Sequence, residues 1–494
     1  MLIASPKRRV LSHKTAKSGF IAAGFACFLA ACSSSKPGAE GNPDATETNG
    51  DEGPGANGEV PGANELPPLT PGEGNPSNEG PPPVMTNGEL TPGEVGVEMP
   101  EPPVTTPPPE MEPPVIWPNP ESSTNSDPWI PENHDRITKL EPRVLLVNFD
   151  EAENGDSVLA FAQTVGAAFA EASRYHGFSD AAAPVFLDYQ FAHVANLPNN
   201  KTRAGNGFGF NAFLHSAEFA ELVAFKHPET GATLTVCQMF EQGFINEAWV
   251  AEPNDDGAKL YEYLGRAQVY DENLQKIEGR FDNCAGNGCI PNNQVTCGVS
   301  VRLNELNLSR GPGCATHAQG HGIEGFLRRN VVPYLSTNAR RFFNFDIDES
   351  YGTPFADFYR CSYDNTPCIN YVTPTHLTNG PGLPAFDIPA FGGGCGNVHF
   401  APHSRFHYDY EGQSAGVTAE TSCEHYGLGD GEGGQDARNL VSYDTYRAYN
   451  QNRAYNDCGG GWSVYMRQNF PGFQNPAKDS QGNPMKNWWP FLFY

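Results

Sequence analysis

The residues best suited to chemistry lie between positions 314 and 324. His317 and His321 are four positions apart, and Glu324 follows three positions later. On a helix this spacing places the three side chains on one face. Two imidazoles and one carboxylate can bind zinc and leave a position for water, whose pKa then falls toward neutrality. The pattern therefore predicts a metal site suited to hydrolysis.

A second group of histidines can complete this site. His399, His403 and His407 lie within nine residues of one another. We expect His399 to be the further ligand, with His403 as the alternative, and zinc as the metal because it accepts mixed nitrogen and oxygen ligands. Arg310 is expected to stabilise a developing oxyanion. The competing interpretation is that these histidines only form hydrogen bonds on a polar helix face and in loops.

Two weaker motifs lie further along the chain. The stretch 412–416 fits Gly-x-Ser-x-Gly, but a nucleophile elbow needs an apolar strand before the serine, and 408–411 is a poor strand. The Gly-rich stretch 430–436 carries three acids whose oxygens could hold calcium. A solvated turn is the favoured interpretation of that loop.

The elements that must position the site alternate between apolar runs and helical periodicity. Together they predict an α/β fold, with a largely parallel sheet layered with helices. From about residue 353, Gly, Pro, Asn and Tyr predict a loop-rich part held by disulfides. Strands are predicted at 143–149, 185–192, 232–238, 245–250 and 299–308, and helices at 157–175, at 217–225 and through 314–324.

Ten cysteines follow Cys32, and an even number in an exported protein indicates disulfides. Short spacing makes a Cys361–Cys368 pair plausible, whereas Cys284 has two nearby candidates, Cys289 and Cys297. A cysteine metal site would need Cys-x-x-Cys pairs, and the sequence contains none.

The N-terminus indicates export. Five basic residues precede an apolar run at 19–29, which is short of the roughly 20 residues that span a bilayer. The stretch Leu29-Ala30-Ala31-Cys32 resembles the lipobox of bacterial lipoproteins, which implies that residues 1–31 are a signal peptide and that Cys32 carries the lipid. Ser33 is not the aspartate associated with inner-membrane retention, so the resemblance implies an outer-membrane lipoprotein, periplasmic or surface-exposed. An ordinary secretory signal is the alternative.

Residues 32–128 are predicted to be a disordered acidic tether rich in Pro and Gly, because they hold few residues that could build a core. The folded domain is then 129–494. The net charge of −27 argues against nucleic acid as a partner.

Two further resemblances concern the folded region. The set His321, Glu324 and a distant histidine is similar to the zinc ligands of metallocarboxypeptidases. The stretches 143–150, 245–250, 310–324, 395–404 and 487–494 resemble uncharacterised secreted microbial proteins with Gly-His-x-x-Glu, Cys-Gly-Asn-Val-His-Phe and Asn-Trp-Trp motifs. This second resemblance implies a shared fold and no particular activity.

The leading hypothesis is a membrane-tethered, metal-dependent hydrolase of an extracellular peptide or polysaccharide. The alternative is a non-catalytic binding or adhesion lipoprotein that recognises a glycan or a cell-surface partner through aromatic residues such as Trp462, Tyr465, Trp488 and Trp489. The sequence does not determine an oligomeric state.

We predict that the mature protein carries lipid on Cys32. Labelled palmitate is expected to enter the wild type and a Cys27→Ser control, because Cys27 lies inside the signal segment, but not Cys32→Ser. Gel autoradiography measures the label. Equal labelling of Cys32→Ser and the wild type would rule the lipid site out.

Overall fold

The signal segment, Cys32 and most of the predicted tether lie outside the residues that the computed structural model describes. All the described residues belong to one unit, Pro103–Tyr494. No helix in the described part of the chain is long and apolar enough to cross a bilayer. The described residues are 113–198, 210–252, 262–290, 297–410, 414, 416–449, 454–455 and 457–494.

The described residues form thirteen strands and ten α-helices. The strands are β1 Val115–Trp117, β2 Ile137–Leu140, β3 Arg143–Asn148, β4 Gln190–Asn196, β5 Glu247–Glu252, β6 Tyr263–Tyr270, β7 Lys276–Asp282, β8 Val301–Asn307, β9 Ile369–Thr373, β10 His376–Asn379, β11 Asp387–Ile388, β12 Thr418–Thr421 and β13 Asn439–Ser442. The helices are α1 Trp129–Glu132, α2 Gly155–Ala172, α3 Phe210–His215, α4 Ala217–Val223, α5 Val236–Glu241, α6 Pro312–Arg328, α7 Pro333–Ala339, α8 Ile347–Tyr351, α9 Tyr443–Tyr449 and α10 Gly460–Gln468.

The central sheet has six strands in the order β4-β3-β5-β8-β6-β7. The first four strands are parallel, but β6 pairs antiparallel with both β8 and β7. The α/β class is confirmed, whereas the prediction of a largely parallel sheet is wrong. The sequence analysis missed β6 and β7, a hairpin-like pair that joins the sheet edge without a crossover helix.

Helices cover both faces of the sheet because side chains alternate along each strand. In β3, Val144 and Leu146 belong to the core shared with α2, α6 and α10, whereas Leu145 and Val147 face the core shared with α3, α4 and α5. The predicted strand at 232–238 is wrong. Residues 236–241 instead form α5, and Thr235 caps this helix in a capping box with Gln238. The Thr-x-x-Gln pattern in the sequence is a signal for such a helix start.

The fold begins before the predicted boundary at residue 129. Strand β1 lies inside the stretch assigned to the tether, and it pairs in parallel with β2 of the folded domain. Trp117 is fully buried, and its ring lies 5.2 Å from that of Phe493. Because one buried tryptophan removes a large apolar area from water, it can order a stretch whose composition otherwise resembles the tether.

The region after residue 353 is loop-rich, as predicted, and carries two small antiparallel sheets, β11-β10-β9 and β12-β13. All ten later cysteines form pairs. Cys361–Cys368 is present, and Cys284 pairs with Cys289 rather than Cys297. The pairs are Cys237–Cys297, Cys284–Cys289, Cys314–Cys458, Cys361–Cys368 and Cys395–Cys423.

A buried carboxylate organises the centre of the sheet. Glu247, fully buried on β5, accepts hydrogen bonds from Trp249 Nε1 at 2.8 Å, Tyr189 Oη at 2.9 Å and Arg302 Nε at 3.2 Å. A buried ion pair is tolerated when further hydrogen bonds satisfy the charges. Glu247, which lies in the stretch 245–250, therefore has a structural role.

The last residues of the chain pack into the core. Tyr494 is fully buried. His134 Nε2 donates to the Asn487 carbonyl at 2.7 Å, so its Nδ1 accepts from the Tyr494 hydroxyl. Burial, and then the charge of Lys486, lower the pKa of His134 to about 4.

This lowered pKa predicts an acid-dependent loss of stability. Between pH 6.5 and about 4 the unfolded chain binds a proton at His134 that the folded chain does not. The stability that the buried neutral His134 contributes is therefore fully present above pH 6.5. It is lost as the pH falls toward 4, by up to about 3 kcal/mol of unfolding free energy. Urea unfolding of the wild type and of His134→Gln at several pH values measures it. The difference in unfolding free energy is expected to shrink on acidification, and parallel curves would contradict the assignment.

Candidate metal centre

The site is built on α6, which is buried along almost its whole length. Every residue from Gly313 to Leu327 is buried. The helix begins directly after β8, with Pro312 in its first turn, where a missing N–H costs nothing. From α10, the fully buried guanidinium of Arg467 donates to the Thr316 carbonyl at 2.8 Å.

Glycines let other elements touch this helix. A Cβ on Gly320 would collide with the side chain of Val398, and one on Gly322 would lie 2.7 Å from the Tyr263 ring. The groups that approach at these glycines are protein side chains. Because Val398 precedes His399, Gly320 allows the His399 loop to lie directly against α6.

Three of the predicted ligands come together. His317, His321 and His399 are all buried, and each offers a ring nitrogen within 4.8 Å of the others. Zinc–nitrogen bonds of about 2.0–2.1 Å place ligand nitrogens roughly 3.3 Å apart. Closing the group on an ion therefore requires only a contraction of roughly 1.5 Å, which side-chain rotation can supply.

His399 is held by two neighbours that the sequence analysis did not assign. Its Nδ1 shares a hydrogen bond of 3.1 Å with His407 Nδ1, and the Tyr359 ring stacks on it at 4.6 Å. Its buried Nε2 has no hydrogen-bond partner. A metal ligand commonly binds through one nitrogen while the other is oriented by a hydrogen bond, and His399 has this arrangement.

Glu324 lies beside the histidine cluster and is not one of its mutually close ligands. Its Oε1 accepts from the Val398 N–H at 2.7 Å, and its Oε2 accepts from the Tyr359 hydroxyl. The same Oε2 is 4.0 Å from His321 Nδ1. Glu324 therefore links α6 to the His399 loop. The set resembling metallocarboxypeptidases would include Glu324, but the structure brings His317 to the cluster instead.

Burial favours the neutral form of His317 and His399. Burial, and then the neighbouring His321, lower the pKa of His317 to about 3. The pKa of His399 is also strongly lowered, by burial and then by the charges of His321 and His317. Neutral imidazoles present lone pairs, so no proton has to leave His317 or His399 before a metal binds at neutral pH.

A carboxylate that the sequence analysis missed lies against the cluster. Glu262 Oε2 is 3.2 Å from His321 Nε2 and accepts from Asn287 Nδ2 at 3.2 Å. Burial acts to raise the pKa of Glu262, but the hydrogen bond with His321 and the nearby charges bring it below its ordinary value. Arg310, the predicted oxyanion stabiliser, pairs with Glu262 Oε1 at 3.5 Å. No local spacing links residue 262 to residue 321, so the sequence offered no signal.

The remaining candidates lie apart from this centre. Fully buried His403 faces the Tyr446 hydroxyl at 3.4 Å. Ser414 is buried and donates to Asp409, so it is not an exposed nucleophile.

In the loop considered for calcium, two of the three acidic side chains accept hydrogen bonds from backbone N–H groups. Asp436 accepts from the N–H groups of Gly427 and Gly429, each at 3.0 Å, and Asp430 accepts from that of Ala437 at 3.0 Å. Its acids are not among the close ligand groups that the described residues offer. The structure therefore favours the solvated turn over a calcium site.

The cluster opens onto a cleft of about 640 Å³. His321 and His399 line it together with Tyr359 and Tyr363. Tyr408 also lines it, with a backbone φ of 62° that is uncommon for a bulky residue. Its ring lies 4.5 Å from that of His399. Backbone strain of this kind clusters at ligand sites.

The described residues offer two other groups of close ligands, each containing both cysteines of a disulfide, Cys237–Cys297 or Cys314–Cys458. Those sulfurs are not thiolates, so the three histidines are the better metal site. Comparison with protein-family models and with curated proteins gives no match for this chain. The assignment of a function therefore depends on the geometry of this centre.

We predict that His317, His321 and His399 bind one zinc ion. The zinc-exposed wild type is expected to hold about one equivalent, and His321→Ala or His399→Ala to bind at least about 100-fold more weakly because water competes for an incomplete shell. Elemental analysis measures the zinc content, and competition with a chelator dye measures the zinc affinity.

The matched control is His376→Ala, a partly exposed histidine paired with Asp387 on the small sheet, which is expected to retain full zinc. Glu324→Gln tests whether Glu324 binds the zinc ion itself or only orients the histidines that bind it. We expect it to keep the ion with affinity lowered roughly 10- to 100-fold, as for a residue that orients a ligand. Full zinc affinity in His321→Ala would contradict the site.

Proposed function

We propose that this protein is a metal-dependent hydrolase that works outside the cytoplasm. The observation that carries the proposal is the convergence of three buried histidines, two of which, His321 and His399, line an open cleft. Zinc on three imidazoles keeps one position for water and lowers the pKa of that water toward 7, which supplies a nucleophile at neutral pH. The same donor set supports zinc over magnesium or calcium, which prefer oxygen ligands.

The neighbouring charges suit the same chemistry. Glu262, held ionised, lies within 3.2 Å of His321 and at the edge of the cleft. Arg310 is about half exposed beside it and is positioned to meet negative charge on a substrate carbonyl. In this proposal the histidines hold the ion, Glu262 orients water, and Arg310 supports the oxyanion.

The proposal places the enzyme at the cell envelope, tethered by lipid on Cys32. The sequence of the first 33 residues supports this address. The pairing of all ten later cysteines supports an oxidising compartment. The outer membrane is proposed because the N-terminus resembles a lipoprotein signal and Ser33 is not the aspartate associated with inner-membrane retention.

A binding role without catalysis is the second candidate. It is favoured by two exposed aromatic side chains at the cleft, Tyr363 and Tyr408, which are 60% and 40% exposed. Exposed rings of this size at a cleft mouth commonly contact a ligand. This candidate predicts ligand binding that survives removal of the metal.

A small activated ester separates the two candidates, because its hydrolysis needs no match to the natural substrate. The zinc-loaded protein is expected to hydrolyse p-nitrophenyl acetate, followed by absorbance. The rate is expected to disappear with a chelator, to return with zinc, and to fall at least about 100-fold in His317→Ala and His399→Ala, because the nucleophile is lost.

His376→Ala serves as the control and is expected to keep the wild-type rate. A rate that is insensitive to chelation, or equal in His399→Ala and the wild type, would overturn the hydrolase and favour the binding role.

A further inference from the structure

Two cavities share part of their lining beside the histidine cluster. A second cavity of about 410 Å³ is lined by His317, Tyr410 and Arg310. It shares Glu262 and Tyr408 with the first cavity of about 640 Å³. The histidine cluster therefore borders both cavities, with His321 and His399 lining the first and His317 lining the second. A groove with space on both sides of the reacting centre admits an interior unit of a chain, whereas a closed pocket admits only a chain end.

The lining of this groove is aromatic and polar. Among the described residues that line the two cavities, none has an aliphatic side chain. Recognition of peptide side chains usually depends on apolar pockets. Sugar rings instead present flat C–H faces surrounded by hydroxyls, which suit aromatic rings flanked by amides and charged groups. Tyrosines, Asn287, Asn365, Arg328 and Arg329 provide that surface here.

The exposed tyrosines are held in place before a ligand binds. The Tyr363 ring stacks on His407 at 3.9 Å with an interplanar angle of 17°. The Tyr408 backbone N–H donates to the His399 carbonyl at 3.0 Å. We call Tyr363 and Tyr408 the tyrosine platform. Because His407 also orients His399, one residue supports both this platform and a metal ligand. Preorganised rings lose little conformational freedom on binding.

The carboxylates indicate which bond is cut. Hydrolysis of a glycosidic bond normally uses two carboxyl groups that flank it. Of the two glutamates lining the larger cavity, Glu324 is engaged by Tyr359 and Val398. Glu262 is also paired, with His321 and Arg310, but its side chain is 31% exposed against 4% for Glu324, so it is the glutamate that a substrate can reach. Glu305 shares a separate cavity with Glu262 and does not line the one that holds His321 and His399. One substrate-facing carboxylate in the cavity beside the metal centre suits attack on an acyl carbonyl instead.

We propose that the substrate is an acylated glycan and that the site removes acyl groups from sugars in the interior of the chain. This inference rests on the proposed hydrolase. Water adds to the carbonyl carbon of an acetyl ester or acetamide, and the bond from that carbon to the sugar oxygen or nitrogen breaks. The products are acetate and a free sugar hydroxyl or amine, with the proton of water on the departing group, and no oxidant or reductant is consumed.

The test uses the full-length zinc-loaded protein with two probes, N-acetylglucosamine oligomers and O-acetylated xylan oligomers. Acetate release and oligomer mass are measured together. The expected result is acetate from one or both probes, with oligomers that lose acetyl groups and keep their length. The two probes separate amide from ester substrates.

Variants of the platform test the recognition step. Tyr363→Ala and Tyr408→Ala are expected to raise KM for the oligomers roughly tenfold, because a ring contact is lost, and to change KM for p-nitrophenyl acetate less, because that ester is too small to cover the rings. The matched control is Leu440→Ala, an exposed apolar residue on β13 that does not line the described cavities. It is expected to leave both activities unchanged.

Other outcomes overturn the inference. New reducing ends would show cleavage of the glycan backbone, and hydrolysis of a peptide mixture without acetate release would show a peptidase. Turnover of p-nitrophenyl acetate with no acetate from either oligomer would reject the acylated glycan and leave the proposed hydrolase standing. Failure with p-nitrophenyl acetate as well would reject the hydrolase itself.

Discussion

The burial of α6 is the constraint on which the rest of the structure depends. This helix carries polar residues at its centre and is enclosed from Gly313 to Leu327. Buried polar groups must find partners, because an unmatched donor or acceptor costs about 1–3 kcal/mol. Each neighbouring element supplies one. The sheet contributes Tyr189 to Gln319 at 2.7 Å, α10 contributes Arg467, and the loop before His399 contributes its backbone to Glu324.

The same burial prepares the site for a metal. A charged imidazole is costly away from water, so the low pKa values of His317 and His399 are direct consequences of enclosure. Three buried histidines with ring nitrogens close together are suitable ligands for a cation. One side remains open to the cleft, which is the arrangement that a hydrolytic centre requires and a purely structural one does not.

Disulfides stabilise the surroundings of the centre where regular structure is sparse. Cys314–Cys458 connects the start of α6 to the segment before α10. Cys361–Cys368 and Cys395–Cys423 secure the loops that carry Tyr363 and His399. Covalent links reduce the freedom of long loops in the unfolded chain, so a loop-rich region can still hold ligands in defined positions.

The sequence by itself determined the local features of this protein. The spacing of His317 and His321 predicted ligands on one helix face, and the even number of cysteines predicted disulfides. These features are readable because helical periodicity and composition are local properties. Only the tertiary structure decided that β6 and β7 join the sheet antiparallel, that Glu324 orients the loop bearing His399, and that Glu262 reaches His321. Such contacts join residues far apart in the chain, and they depend on how whole elements pack.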